Sequence, residues 1–198
     1  MIEASDWSMG TVVAIESDGT VAIAGDTQAV DEGIVKGNHD RIFDFASVGV
    51  GVVGDAGDVQ EFRDQLESEI RTERLERRND IGIEEIARIA ARHSRSEHVD
   101  AVVAGRDSDG VPRIRQVDSD GAMIETTTVA LGSGAQIAYG ELETVAPDLE
   151  GDEVPGATRS VVETVMERDT ATGGDVDVWV LRGDSEDATG DAGVEEDP

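Results

Sequence analysis

Cysteine is absent from all 198 residues, which excludes a disulfide framework, a thiolate nucleophile and any thiolate-ligated metal site. That usage fits a reducing cytoplasm, the compartment expected here. Long hydrophobic runs are missing too, since no stretch approaches the roughly 20 apolar residues of a membrane span. The first ten residues, MIEASDWSMG, lack the charged-then-apolar pattern of a secretory signal. Positive charge is scarce. Sixteen Lys and Arg face 45 Asp and Glu, for a formal net charge of -29, and Lys36 is the one lysine. A surface of that sign repels phosphate backbones and anionic lipid headgroups, so neither nucleic-acid nor membrane binding is expected. Aromatic residues make up only 3%. Few aromatics, one lysine, abundant carboxylates and Val in preference to Leu describe a protein adapted to high salt. There a Debye length of about 3 Å at 1 M screens the repulsion.

What is present is β-branched. The 25 Val, 13 Ile, 6 Leu and 3 Phe amount to roughly 24% of the chain, above the ~20% level below which disorder is expected. The core is therefore predicted to consist of small β-branched residues. TVVAI (11–15), the turn ESDG (16–19) and TVAIAG (20–25) read as a β-hairpin around an Asp-Gly turn. A second strand pair is expected over 34–45 and 47–53. Val59, Phe62, Leu66 and Ile70 then recur every three or four residues, predicting an amphipathic helix over 58–78. A second helix restarts at Ile83 and runs to about His93. Strands return at 99–105, 112–117 and 126–131. The acidic stretches between them, 107–110 and 118–121, lack the spaced third carboxylate and closing Glu of a calcium loop and read as Asp-Gly turns. Gly132-Ser133-Gly134 leads into a helix ending at Val145, another helix covers 155–168, and a last strand covers 176–181. From residue 183 onward the chain has almost nothing to bury and reads as a disordered acidic tail. Two stacked sheets with a helical layer on each outer face satisfy this order, and so does a three-layer arrangement around one mixed sheet.

His39, His93 and His98 show no metal-ligand spacing and read as surface or satisfied histidines. No Gly-rich nucleotide loop occurs, so no metal and no cofactor are expected. Four short motifs carry chemistry. Gly10-Thr11 opens the first strand, Ala24-Gly25-Asp26 ends the second on a carboxylate, and Leu131-Gly132-Ser133-Gly134 places a serine at a strand-to-helix turn. Arg168-Asp169-Thr170-Ala171-Thr172-Gly173-Gly174 puts an Asp and a Thr after a helix. Singly, each reads as a strand start, a turn, a loop or a capped helix end. Together and in this order, over about residues 10–182, they resemble the proteasome β-subunit family and its bacterial relative, the HslV peptidase. VAIAGDTQA (21–29) followed by VKGN (35–38) is similar to the HslV pattern. Asp40-Arg41-Ile42-Phe43 resembles the strand that carries the family's lysine, and Gly54-Asp55-Ala56-Gly57-Asp58 the turn before its first long helix. The 168–174 loop resembles β-type rather than α-type subunits.

The resemblance implies an α+β fold of the N-terminal nucleophile hydrolase type, a four-layer αββα sandwich of two antiparallel sheets. That domain would span 11–182, between a propeptide-like leader (1–10) and the acidic tail (183–198). It also implies a threonine endopeptidase of intracellular protein degradation, acting on unfolded polypeptide within a homo-oligomeric ring. Other proteasome subunits or an unfolding ATPase would be its partners. A threonine hydroxyl needs a base, and its own freed α-amine, titrating at about 8, can supply one. The precursor would therefore cut itself between Gly10 and Thr11. By resemblance, Asp26 biases the local charge, Ser133, Asp169 and Thr172 hold the amine and a water, and the Gly54 N–H is the oxyanion donor. Two departures leave a second reading open, a catalytically inactive ring or scaffold subunit. Matched without gaps from Gly19 to Asp26, the HslV pattern sets Gly10 at the nucleophile's position and the proteasomal pattern sets Met9 there, so a shortened turn is needed to bring Thr11 into place. Arg41 stands where the family has lysine, and a guanidinium supplies field but relays no proton. Lys36 lies an odd number of residues away, on the opposite face of a regular strand.

Overall fold

Alternation along the first β-branched runs sets the architecture. The computed structural model describes residues 10–31, 34–77 and 81–183; the leader (apart from Gly10) and the tail from 184 on lie outside the described residues. Strand β1 (Thr11–Ser17) turns through Asp18 and Gly19, at φ 44° and 66°, into β2 (Thr20–Asp26). Two successive positive-φ residues give a two-residue hairpin turn that matches the strand twist. The ladder above it is unbroken from Ser17↔Thr20 to Val12↔Gly25. Strand β3 (Gln28–Asp31) pairs with β4 (Ile34–Asn38) as a small separate hairpin. Strands β5 (Ile42–Asp44) and β6 (Gly49–Val53) then lead into helices α1 (Ala56–Arg77) and α2 (Ile83–Glu97). Strands β7 (Asp100–Arg106), β8 (Pro112–Val117), β9 (Met123–Glu125) and β10 (Thr128–Gly132) follow. Helices α3 (Ala135–Val145) and α4 (Val154–Met166) and strand β11 (Val176–Arg182) complete the order.

The strands form two main sheets, ordered β10-β1-β2-β11 and β5-β6-β7-β8-β9, and every pairing in them is antiparallel. Val12, Ala14, Val21 and Ile23 of one sheet meet Val53, Val102, Ala104 and Ile114 of the other in a common core. The alternate residues Val13, Ile15, Ala22 and Ala24 face the other way, onto Val161, Val162 and Val165 of α4. The second sheet likewise turns Val50, Val52, Ala101 and Val103 toward Phe62, Leu66, Ile86 and Ile89 of α1 and α2. This is the four-layer αββα sandwich; the three-layer alternative is excluded, because each sheet is covered by helices on one face only. Burying both faces of β1 and β2 removes them from water along nearly their whole length, which explains their unbroken apolar runs.

The element reading needs five corrections. The strand expected over 34–45 is two strands in different sheets, because the chain bends through His39–Arg41 and β4 pairs with β3. Strand β3 and the three-residue β9 were not anticipated. The second helix runs four residues past His93, ending where His98 adopts φ 55°. The last helix stops at Met166 rather than 168. At the Asp-Gly turns, Asp107 Oδ1 accepts the N–H groups of Asp109 and Val111 at 2.9 Å each. Its carboxylate is thus occupied by its own turn.

Candidate active site

The motif residues converge where β1 begins and β2 ends. Asp26, fully buried, accepts four hydrogen bonds. The Thr11 N–H at 2.7 Å and Arg41 Nε at 3.1 Å reach Oδ1; the N–H groups of Gly173 at 2.9 Å and Gln28 at 3.2 Å reach Oδ2. Arg41 also donates through Nη2 to the Gln28 carbonyl at 2.7 Å and is 2% exposed. The pair is therefore a buried ion pair whose remaining lone pairs are satisfied, the condition under which such a pair is tolerated.

The GSG turn supplies the second half. Gly132 sits at φ 93°, a conformation that favours glycine, and turns the chain so that the Ser133 N–H donates to the Gly10 carbonyl at 3.0 Å. The Gly134 N–H donates to Thr11 Oγ1 at 3.1 Å. A Cβ on Gly134 would lie 2.5 Å from that hydroxyl, so glycine permits the approach. Asp169 Oδ2 receives the hydroxyls of Ser133 and Thr172, both at 2.6 Å. Burial raises the Asp169 pKa, and the hydrogen bonds from Ser133, Thr172 and the Ala171 N–H outweigh it, holding the carboxyl below its ordinary value. Thr172 Oγ1 also lies 2.7 Å from Thr11 Oγ1. Its single proton goes to Asp169, so in that contact Thr11 is the donor. The Thr11 hydroxyl thus directs its proton toward Thr172 and accepts the Gly134 N–H on one lone pair.

The side of β1 on which this happens matters. Thr11 shares a parity with Val13 and Ile15, which face α3 and α4, and its hydroxyl lies there at 0% exposure. Residue 10 shares the parity of Val12 and Ala14, which face the space between the sheets. Arg41 lies on that second side, because a Cβ on Gly10 would fall on its guanidinium. Gly54, between β6 and α1, lines with Arg41, His39, Ala29 and Val30 a cavity of about 50 Å³. The structure thus gathers Gly10 and Arg41, with Gly54 across the small cavity, on one face of β1, and Thr11 Oγ1, Ser133, Asp169 and Thr172 on the other, with Asp26 bonded to both the Thr11 N–H and Arg41 Nε. The Thr11 N–H to Asp26 bond joins the two groups.

Three partners had no assigned role from sequence: Gln28, Gly134 and Gly173. The second glycine of GSG and the first of the Gly173-Gly174 pair were the available signals; nothing marked Gln28. His39 differs from expectation, because its Nε2 is buried with no hydrogen bond among the described residues. Burial and the Arg41 charge push its pKa down, against a smaller opposing effect of Asp40. His93 Nε2 meets Glu69 at 2.8 Å, and His98 is exposed. Among the described residues, no helix is long and apolar enough to cross a membrane.

The sequence profile of a family described as Proteasome subunit matches residues 8–181. The chain belongs to the proteasome β-subunit family. It is 33% identical to Proteasome subunit beta of Methanopyrus kandleri, over 86% of each chain. It is 32% identical to Proteasome subunit beta 1 of Staphylothermus marinus, over 85% of this chain and 83% of that one. Proteasome subunit beta of Halomicrobium mukohataei is 30% identical, over 91% and 78%. The two faces of β1 thus separate the Thr11 hydroxyl from the Arg41 guanidinium.

Proposed function

We propose that the chain is a non-catalytic β-type subunit, a ring-forming scaffold of a proteasome-like particle in the cytoplasm. The observation that carries this reading is the placement of the Thr11 hydroxyl. It is buried on the opposite face of β1 from Arg41, with its proton directed to Thr172 and one lone pair accepting the Gly134 N–H. The unbroken β1–β2 ladder and its two-residue turn leave no bulge to move Thr11 by one position. Gly10, which takes the inward-facing position, has no side chain to act as nucleophile. Ring formation is inferred from the family, with other proteasome subunits or an unfolding ATPase as partners. Ile34 and Val35 on β4, each 59% exposed, are apolar surface of the kind covered on assembly.

A second reading, a self-processed threonine endopeptidase acting on unfolded polypeptide, is supported by the junction itself. The Ser133 N–H polarises the Gly10 carbonyl, and Asp26 already receives the Thr11 N–H. Cleavage there would free an amine beside Asp26, with Ser133, Asp169 and Thr172 close by and Gly54 as oxyanion donor. Intact mass of the purified protein separates the two. The scaffold reading expects residues 1–10 to be retained and no hydrolysis of short peptide amides. Loss of those residues, with hydrolysis that Thr11→Ala abolishes, would establish the peptidase.

A further inference from the structure

Gly10 is buried at φ 87°, and a side chain there would project onto Cζ, Nε and Nη2 of Arg41. The guanidinium is not loosely parked in that volume. Nε is fixed by Asp26 and Nη2 by the Gln28 carbonyl, and Asp26 depends on it, since a fully buried carboxylate without a counter-charge is strongly unfavourable. The same group therefore fills space and neutralises charge.

We propose that Arg41 is a built-in plug, its guanidinium filling with the chain's own cation the space that a side chain at residue 10 would take on this face of β1. Gly10 and Arg41 are a complementary pair: the absence of a side chain at one is the room for the guanidinium at the other. The proposal rests on the non-catalytic reading, because it requires Gly10 to stay on the chain.

Thermal unfolding of the full chain tests it, with Gly10→Ala made in the parent, in Arg41→Lys and in Arg41→Ala. The backbone strain of alanine at φ 87° is common to all three and cancels in the comparison. The expected result is a large drop in Tm in the parent, less than half as large in either Arg41 background. Equal drops would overturn the plug. Arg41→Lys keeps a cation beside Asp26 and carries the comparison if Arg41→Ala does not fold. In a folded Arg41→Ala, millimolar guanidinium ion should raise Tm relative to the same concentration of sodium, and no rise would count against the proposal. Intact mass of the same samples separates the two failures. Equal drops with residue 10 retained overturn the plug alone, whereas loss of residues 1–10 removes the reading beneath it.

Discussion

Asp169 takes both neighbouring hydroxyls and the Ala171 N–H, and those bonds, outweighing its burial, keep the folded-state carboxyl below its ordinary pKa. The unfolded chain therefore binds this proton more readily than the folded one. Its contribution to stability is present above the unfolded-state value of about 3.9 and is lost as pH falls through the lower folded-state value. Asp169→Asn should lower Tm at neutral pH and flatten the acid limb, which a Tm series from neutral to strongly acidic pH will check. An acid limb identical to the parent's would show that Asp169 does not carry it. At this scale the sequence was partly legible. Ser133, Asp169 and Thr172 stand out through their motifs and do meet, and Asp26, marked in the same way, reaches them through the Thr11 N–H. Gln28 did not, because its contribution to Arg41 is a backbone carbonyl, which every residue has. His39 looked bland for a similar reason, since burial of one ring nitrogen comes from the loop fold and not from its neighbours in sequence.

Between residues and fold, strand β6 illustrates how a small residue sets the spacing of two layers. Val50 and Val52 face the helices, while Gly51 faces inward, where a Cβ would lie 2.5 Å from Val12 and 2.9 Å from Ile23. Gly51→Ala should therefore push the sheets apart and destabilise the fold by about 1–3 kcal/mol, the usual cost of overpacking. Urea unfolding measures it; a loss under about 0.5 kcal/mol, the scale of a neutral surface change, would mean that the sheets absorb the methyl group. The elements were read best where periodicity was strong, as in the first hairpin and the long helix. They were misread where pairing, not pattern, decides. The short segment Gln28–Asp31 becomes a strand only because β4 is beside it. The polar end of α2 hides its continuation, since Ser94 is buried although its residue type suggests otherwise.

For the whole molecule the charge of -29 acts against compaction and against bringing copies together. Assembly of a ring from such subunits should need high salt, where the Debye length falls from about 10 Å at 0.1 M to about 3 Å at 1 M. Sizing the particle as salt is lowered will test this, with dissociation expected in dilute buffer. A particle of unchanged size there would show that the interfaces do not depend on screening.

The sequence by itself determined the family, the sandwich core of Val and Ile, and the set of motifs at the site. These are local patterns: alternation, turn chemistry, and a glycine where the backbone must reverse or approach closely. Tertiary structure alone decided which face of β1 holds the threonine hydroxyl and what lies opposite Gly10. Those facts depend on the register between β1 and β2 and on a guanidinium from the start of another sheet. A shift of one residue exchanges the two faces of a strand. The choice between a nucleophile and a buried structural hydroxyl turns on that single step.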